Sequence, residues 1–337
     1  MNYRAFGSVA AAAAIAFAQP VAFLAQTDKA AEIIAAARKA IGGSRLEAMK
    51  TFSLQSSVQR NINNMQIGSD VEIVLEWPDK YLRAETPSGG MVMSGGGVSG
   101  FNGDRPLQKV QSGGVIPGGG GMMIRMGGGA SFGGPSEKLT PEQIEQMTKS
   151  VVRNSRIEAS RLMLGWFANA HPSANAEYRY AGEAESVEGK AFVIDVTNAD
   201  NFTARLFIDE QTNLPLMVTY KGPQPRMVTS SMAAPAPALG SQPAAAPQTG
   251  QSTPRAMTDD ERKKAQADVE KQMQEMQRQA PVLVDYALYF EEWRDVDGVK
   301  FPFKLRRAMA GTTTEEWTVN KVKVNPKVDP KRFAGES

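Results

Sequence analysis

The segment FSLQSSVQ, residues 52–59, places apolar or small side chains at every second position and polar ones between them. A period of two is that of a β-strand with one buried and one exposed face. The segment VEIVLEW, residues 71–77, repeats the alternation, with Glu72 and Glu76 on the face opposite its apolar side chains. Together the two segments predict half-buried strands of a sheet.

Strand patterns recur along most of the chain, and short connections separate the later ones. Asp297-Gly298 is a hairpin signal between two of them. We interpret Asp295 and Asp297 as part of this turn, because a calcium loop would need further oxygen ligands that Val299 and Lys300 do not supply. Short connections favour an antiparallel meander over a doubly wound parallel sheet. Further strands are predicted at Lys80–Thr86, Tyr178–Val187, Ala191–Thr197, Phe202–Asp209, Leu216–Lys221, Val282–Trp293, Val299–Met309 and Thr312–Val324.

Helices are predicted where apolar residues recur at three- and four-residue spacing. The first runs from Thr27 or Asp28 to Ile41, and Gly42-Gly43 ends it. The others are predicted at Ser44–Met49, from Thr140 through Val151, at Ile157–Ala170, and from Thr258 to Gln279. The predicted fold class is α+β: a curved antiparallel sheet that forms an unclosed half β-barrel, with helices packed on its concave side.

The N-terminus has the pattern of a secretory signal peptide. A short positively charged start precedes an apolar stretch from Ala5 to Ala18, and small residues allow cleavage after Ala18 or Ala25. The alternative is a membrane anchor, but Gln19-Pro20 interrupts the apolar stretch before it reaches the ~20 residues that span a bilayer. We therefore predict that residues 1–25 are a signal peptide, that the protein is periplasmic, and that no integral membrane span remains after signal removal.

Two stretches have compositions that bury little apolar surface. Residues 88–134 hold 18 of the 31 Gly, and residues 222–258 hold 7 of the 20 Pro. Such compositions predict flexible insertions. Without them and the signal, about 228 residues remain, which suits one domain over residues 26–337. We expect this domain to be a monomer.

The composition excludes several kinds of chemistry. The chain has no Cys and one His, so disulfides, thiolate metal sites and sites with two His ligands are impossible. The formal net charge of +2 argues against a non-specific nucleic-acid binder. The match of Gly95, Gly97 and Gly100 to a dinucleotide fingerprint lacks the helix that this motif needs. We predict an exposed loop position for His171, and no enzymatic activity, cofactor or metal.

Several sequence segments resemble the LolA-like and LolB-like periplasmic lipoprotein carriers. The resemblance covers most of the chain outside the two insertions. The similar segments are Gly42-Gly43, Phe52-Ser53-Leu54, the Trp77–Arg83 turn and strand, Phe101–Asp104, the Phe207–Leu216 hairpin, the Tyr289–Phe303 hairpin and Val328–Phe333. Two departures are Trp77, which stands where the carriers have an Arg that helps to hold the lid, and the absence of the lipidated Cys of LolB-type proteins.

The resemblance implies a half-barrel sheet over helices, with an apolar cavity for acyl chains and no chemistry. The cargo would be a lipid or a lipidated protein, and the role outer-membrane lipoprotein sorting or lipid transport. A second hypothesis is an envelope sensor or assembly module of the same fold that binds protein partners through its insertions. The candidate cavity residues are Phe52, Leu54, Val71, Ile73, Leu75, Ile194 and Leu206 on the sheet, and Ile33, Ile34, Ile144 and Met147 on the helices.

Overall fold

The structure is a computed structural model, and it describes most of the chain between the first helix and the C-terminus. The predicted signal peptide up to residue 22 and most of the helix predicted from Thr258 lie outside the described residues, and both stay predictions. The described ranges are 23–62, 65–88, 97–110, 116–118, 122–125, 140–186, 189–229, 271 and 280–334.

Three helices lie in the described part of the chain: α1 (Phe23–Ile41), α2 (Ser44–Glu47) and α3 (Pro141–Phe167). α1 begins before the predicted start and ends at Gly42-Gly43 as predicted. α3 is one continuous helix where the sequence pattern predicts two. The segment that links them, VVRNSRI at residues 151–157, has no Gly or Pro to interrupt the backbone hydrogen bonds.

Twelve strands form one antiparallel sheet in the order β5-β4-β3-β2-β1-β15-β14-β13-β11-β10-β9-β8. The two end strands do not pair with each other, so the sheet is open, as the sequence predicts. A separate sheet has the order β12-β7-β6. The strands are β1 (Thr51–Ile62), β2 (Met65–Glu76), β3 (Lys80–Ser88), β4 (Gly97–Asn102), β5 (Arg105–Val110), β6 (Ile116–Gly118), β7 (Met122–Arg125), β8 (Glu177–Ser186), β9 (Gly189–Thr197), β10 (Thr203–Asp209), β11 (Pro215–Pro223), β12 (Arg226–Thr229), β13 (Leu283–Val296), β14 (Val299–Met309) and β15 (Thr312–Val324).

The structure differs from the predicted insertion over residues 97–110, which form β4 and β5 at the edge of the main sheet. Glycine serves close packing here. A Cβ at Gly100 would lie 2.0 Å from the Tyr81 carbonyl oxygen, so only glycine permits this approach of the two strands. Phe101 beside it is fully buried. A count of glycines does not distinguish this use from a flexible loop.

The helices cover one face of the sheet, which we call the inner face. Ala30, Ile33, Ala37 and Ile41 follow the helical period along α1 and are buried in the main core. α1 packs against β8 and β14, while α3 contacts β3, β4, β5, β10, β11 and β13. The opposite, outer face carries a smaller cluster of Val74, Leu82, Leu107 and Phe333, which the C-terminal 3-10 turn Pro330–Phe333 covers.

Candidate functional site

The inner face is apolar along much of its length. In β1, Phe52 lies opposite Leu75 of β2 and Leu54 opposite Ile73. Toward the β8 end of the same sheet, Leu206 of β10 lies opposite Ile194 of β9. The predicted sheet positions belong to the main core, and each is at most 1% exposed: Phe52, Leu54, Val71, Ile73, Leu75, Ile194 and Leu206.

The helix residues of the predicted cavity have different surroundings. Ile33 is buried in the core with the sheet residues, whereas Ile34 is half-buried and lines a groove on the outside of α1. Ile144 and Met147 lie on α3, but their side chains are outside the described part of the structure. The structure brings eight of the predicted residues into one core, and their role as ligand contacts stays a prediction.

One end of the inner face is aromatic. The Phe52 ring centroid lies 5.2 Å from that of Phe167 and 5.1 Å from that of Phe301, and Trp166 lies 5.3 Å from Phe301. Edge-on and tilted pairs of this kind each add about 0.5–1.5 kcal/mol beyond their burial. The Trp166 indole N–H is buried without an acceptor among the described residues, so this aromatic end includes one unsatisfied donor.

Toward its other end the same face is charged. Arg60 is on β1 and on the same face as Phe52 and Leu54, and it pairs with Glu85 of β3 and, at 3.3 Å, with Glu315 of β15. The remaining contacts are Arg83 to Glu85 at 3.1 Å, Arg83 to Glu158 of α3 at 2.5 Å, and Arg307 of β14 to Glu315 at 3.5 Å. We call these six residues the charged cluster. It joins four strands to α3.

Arginines hold two carboxylates of the cluster, Glu315 and Glu85, in the ionised form. Burial alone would raise the pKa of Glu315, but Arg307, Arg60 and Arg83 outweigh it and hold this pKa at about 2. Burial would also raise the pKa of Glu85, but the charges of Arg83 and Arg60 outweigh it, so this pKa is lowered. Such groups are tolerated in a core only when they are paired, because removing a charge from water costs several kcal/mol.

The sequence interpretation did not identify the charged cluster. The sequence signal for it is the two-residue alternation of the strands. Arg60 continues the inward positions Phe52, Leu54 and Val58, and Glu315 is two residues before Trp317 on the same face. A charged residue at a position where the alternation requires an apolar one is usually interpreted as the end of the buried part of a strand. Only the strand register, which places Glu315 opposite Arg60, shows that the charges meet.

His171 is a correction. The sequence predicts an exposed loop position, but His171 is 2% exposed and its ring packs edge-on against Phe101 at 5.0 Å. Its Nδ1 accepts from the Ser173 backbone N–H at 3.3 Å and caps the 3-10 turn Pro172–Ala174. Burial, with a smaller contribution from Arg156, lowers its pKa to about 4. Neighbouring Pro172 indicates a turn, but it does not show that the turn is buried.

No group of three or more His, Asp or Glu side chains in the described residues is arranged to hold a metal ion. Nor does any helix in the described part of the chain have the length and apolar character for a membrane span. Each carboxylate of the charged cluster is paired with at least one arginine.

Two open grooves lie outside the inner face. One of about 560 Å³ follows the flank of α3, where Lys149, Arg153, Arg156, Asp104 and Asp200 are among its lining residues. The other, of about 600 Å³, lies along α1 with Ile34, Arg38 and Tyr178. Both volumes are in the range of ligand pockets, but charged side chains line each of them. Val152, Ala174 and Phe202, which belong to the main core, also line the first groove.

Comparisons with known proteins find structures of similar arrangement only. No protein-family model matches the sequence, and no curated protein matches it. The chain is similar to a LolA superfamily protein from Nitrosomonas europaea (9% identity, 90% of this chain and 97% of that chain, TM-score 0.45). It is also similar to a DUF1329 family protein from Desulfovibrio piger (8%, 90% and 96%, TM-score 0.45). A third is an outer membrane lipoprotein-sorting protein domain from Vibrio parahaemolyticus (8%, 91% and 97%, TM-score 0.43). The chemistry of the inner face therefore decides which function this protein supports.

Proposed function

We propose that this protein is a non-enzymatic binding or carrier protein that holds the acyl chains of a lipid or lipidated protein between the inner face and the helices. The observation that carries the proposal is an open sheet whose inner face is apolar and aromatic, with α1 and α3 as its cover in the described residues. Each acyl CH₂ transferred from water to such a surface contributes about 0.8 kcal/mol. A sixteen-carbon chain would therefore contribute about 12 kcal/mol.

Binding requires that the cover moves, because the inner face is filled by helix side chains. Trp166 and Leu164 of α3 are fully buried against the sheet. The strands pair with one another and not with the helices. Moving α1, or the end of α3 that carries Leu164 and Trp166, would therefore break side-chain packing and leave the sheet hydrogen bonds intact. An acyl chain that replaces the helix contacts offsets their loss. Cargo would thus shift the equilibrium toward the open form.

The proposed place of action is the periplasm, on the strength of the predicted signal peptide. The proposed role is outer-membrane lipoprotein sorting or lipid transport. A carrier of this kind shields the cargo from water between two membranes and releases it to an acceptor with higher affinity. Such transfer needs no acid, base or metal.

A second candidate is an envelope sensor or assembly module that binds protein partners. The filled inner face favours it, since a fully packed core is also what a structural scaffold has. Its recognition elements would be the long segments within 88–134 and 222–258.

Native mass spectrometry of the protein purified from its own envelope separates the two. The carrier proposal predicts an added mass of a lipid or acylated peptide, and its uptake again after delipidation. A protein that carries no such mass and takes up no added lipid contradicts the carrier proposal and leaves the partner-binding candidate.

A further inference from the structure

A seventh charged residue lies beside the charged cluster. Arg161 is on α3, and its guanidinium carbon is 3.6 Å from the ring centroid of Tyr220 on β11. Tyr220 in turn stacks on Tyr286 of β13, with centroids 5.1 Å apart and planes 6° from parallel. A guanidinium above an aromatic ring is attracted to the ring face and can still donate its N–H groups to an acceptor.

Arg161 has no carboxylate of its own. The three carboxylates of the cluster are engaged by other arginines: Glu85 by Arg60 and Arg83, Glu158 by Arg83, and Glu315 by Arg60 and Arg307. No carboxylate in the described part of the chain is recorded within 4.0 Å of Arg161. With Arg161 included, four arginines face three glutamates. This part of the inner face therefore has an excess of one positive charge.

Two N–H donors here are buried without an acceptor among the described residues, namely the Nε–H groups of Arg161 and Arg307. Arg307 is on β14 and lies opposite Leu288 of β13. Leu288 is two residues along β13 from Tyr286, which stacks on Tyr220. Burial first, and the charge of Arg307 as well, lowers the pKa of Arg161. An anion that contacts both guanidinium groups would supply acceptors for these donors and the missing negative charge.

Resting on the proposed function, we infer that Arg161 and Arg307 form a subsite for the phosphate head group of an amphiphile whose acyl chain lies on the apolar part of the inner face. A tetrahedral phosphate offers oxygens in several directions and can bridge two guanidinium groups that are not coplanar. The stacked tyrosines fix one of these groups in place. The order along the face, from aromatic to charged, sets the orientation of the bound molecule.

The test measures binding to the full chain by calorimetry, with each amphiphile below its critical micelle concentration. The ligands are octyl phosphate and octyl glucoside, which share the same tail, and inorganic phosphate. We expect octyl phosphate to bind about tenfold more tightly than octyl glucoside, since a charge-assisted bidentate contact is of that order. Arg161→Gln should remove this preference. Arg153→Gln, an exposed site on the same helix, should keep it.

The possible outcomes separate the two proposals. Binding of both octyl amphiphiles with equal affinity, or an undiminished preference in Arg161→Gln, overturns the subsite and leaves the carrier proposal. Binding of inorganic phosphate without either amphiphile, lost in Arg161→Gln, means a site for free phosphate and contradicts the carrier proposal. Arg161→Lys keeps the charge without the planar fork and should retain part of the preference, so it serves as a second variant should the glutamine variant not fold.

Discussion

Within β1, the inward side chains change from aromatic at Phe52 to charged at Arg60. The alternation itself predicts the strand and the burial of Phe52, Leu54 and Val58 correctly. It does not predict a half-buried, ion-paired Arg60, because an isolated arginine is normally found in water. The partners that make burial tolerable come from Glu85 and from Glu315, which is 255 residues away. Pairing at such sequence distance depends on strand order, which no local pattern contains.

At the scale of one residue, His171 gives a pH-dependent stability. Its pKa is about 4 in the folded state against 6.5 in the unfolded state, because burial disfavours its charged form. The unfolded chain therefore binds more protons between these values, and stability is full above pH 6.5 and falls as the pH is lowered toward 4. We expect a loss of about 2 kcal/mol in the free energy of unfolding between pH 7 and pH 4.5, measured by urea denaturation.

His171→Asn is the matched control, since asparagine keeps an acceptor for the Ser173 N–H and does not titrate. The variant should show a flatter pH profile over the same interval. Glu315, whose folded pKa is about 2, loses its contribution only as the pH falls from 4.5 toward 2. Equal slopes for the two proteins between pH 6.5 and pH 4.5 would contradict the assignment to His171.

At the scale of elements, Gly165 sets how closely α3 approaches the sheet. A Cβ at this position would lie 1.8 Å from the ring of Phe290 on β13, which is itself buried. In an exposed helix, Gly→Ala would stabilise by about 1 kcal/mol. Here we expect Gly165→Ala to destabilise by about 1–3 kcal/mol, because the ring has no free space to enter. The shift of the urea midpoint measures it.

The partner substitution shows whether the contact is the cause. Phe290→Leu shortens the side chain that meets Gly165, so the double variant Gly165→Ala/Phe290→Leu should recover part of the stability lost in Gly165→Ala. A double-mutant cycle gives the coupling directly. If the two substitutions add without coupling, the close approach of α3 to β13 does not limit the packing.

Elements with a clear period are predictable from this sequence, and those that depend on distant neighbours are not. The C-terminal end of α1 at Gly42-Gly43 and the hairpin at Asp297-Gly298 follow from local backbone preferences and are confirmed. The sequence analysis does not predict β4, because it interprets Gly100 as part of a flexible insertion. In the structure Gly100 allows β4 to approach the backbone of Tyr81 closely. The continuity of α3 is missed because its middle turns are polar and exposed at Arg153 and Asn154.

At the scale of the whole molecule, the two faces of the sheet differ in what covers them. The outer cluster is closed by Phe333, and Arg332 holds that segment with a bidentate pair to Glu72 at 2.9 and 2.6 Å. The inner face is larger, is covered by helices, and grades from the Trp166 aromatic end to the charged cluster. A face that is apolar at one end and charged toward the other matches an amphiphile in one orientation.

Photolabelling of the delipidated full chain with a diazirine-bearing fatty acid tests the central claim most directly. We predict saturable labelling of the inner-face strands, which unlabelled lipid reduces. The labelled peptides should be those of β1 and β2 that contain Phe52, Leu54 and Ile73, or those of β9 and β10 that contain Ile194 and Leu206. The outer-face peptides that contain Leu107 and Phe333 are the internal control and should stay unlabelled. Labelling confined to those outer peptides, or labelling that no unlabelled lipid reduces, would contradict the claim that acyl chains bind between the sheet and its helices.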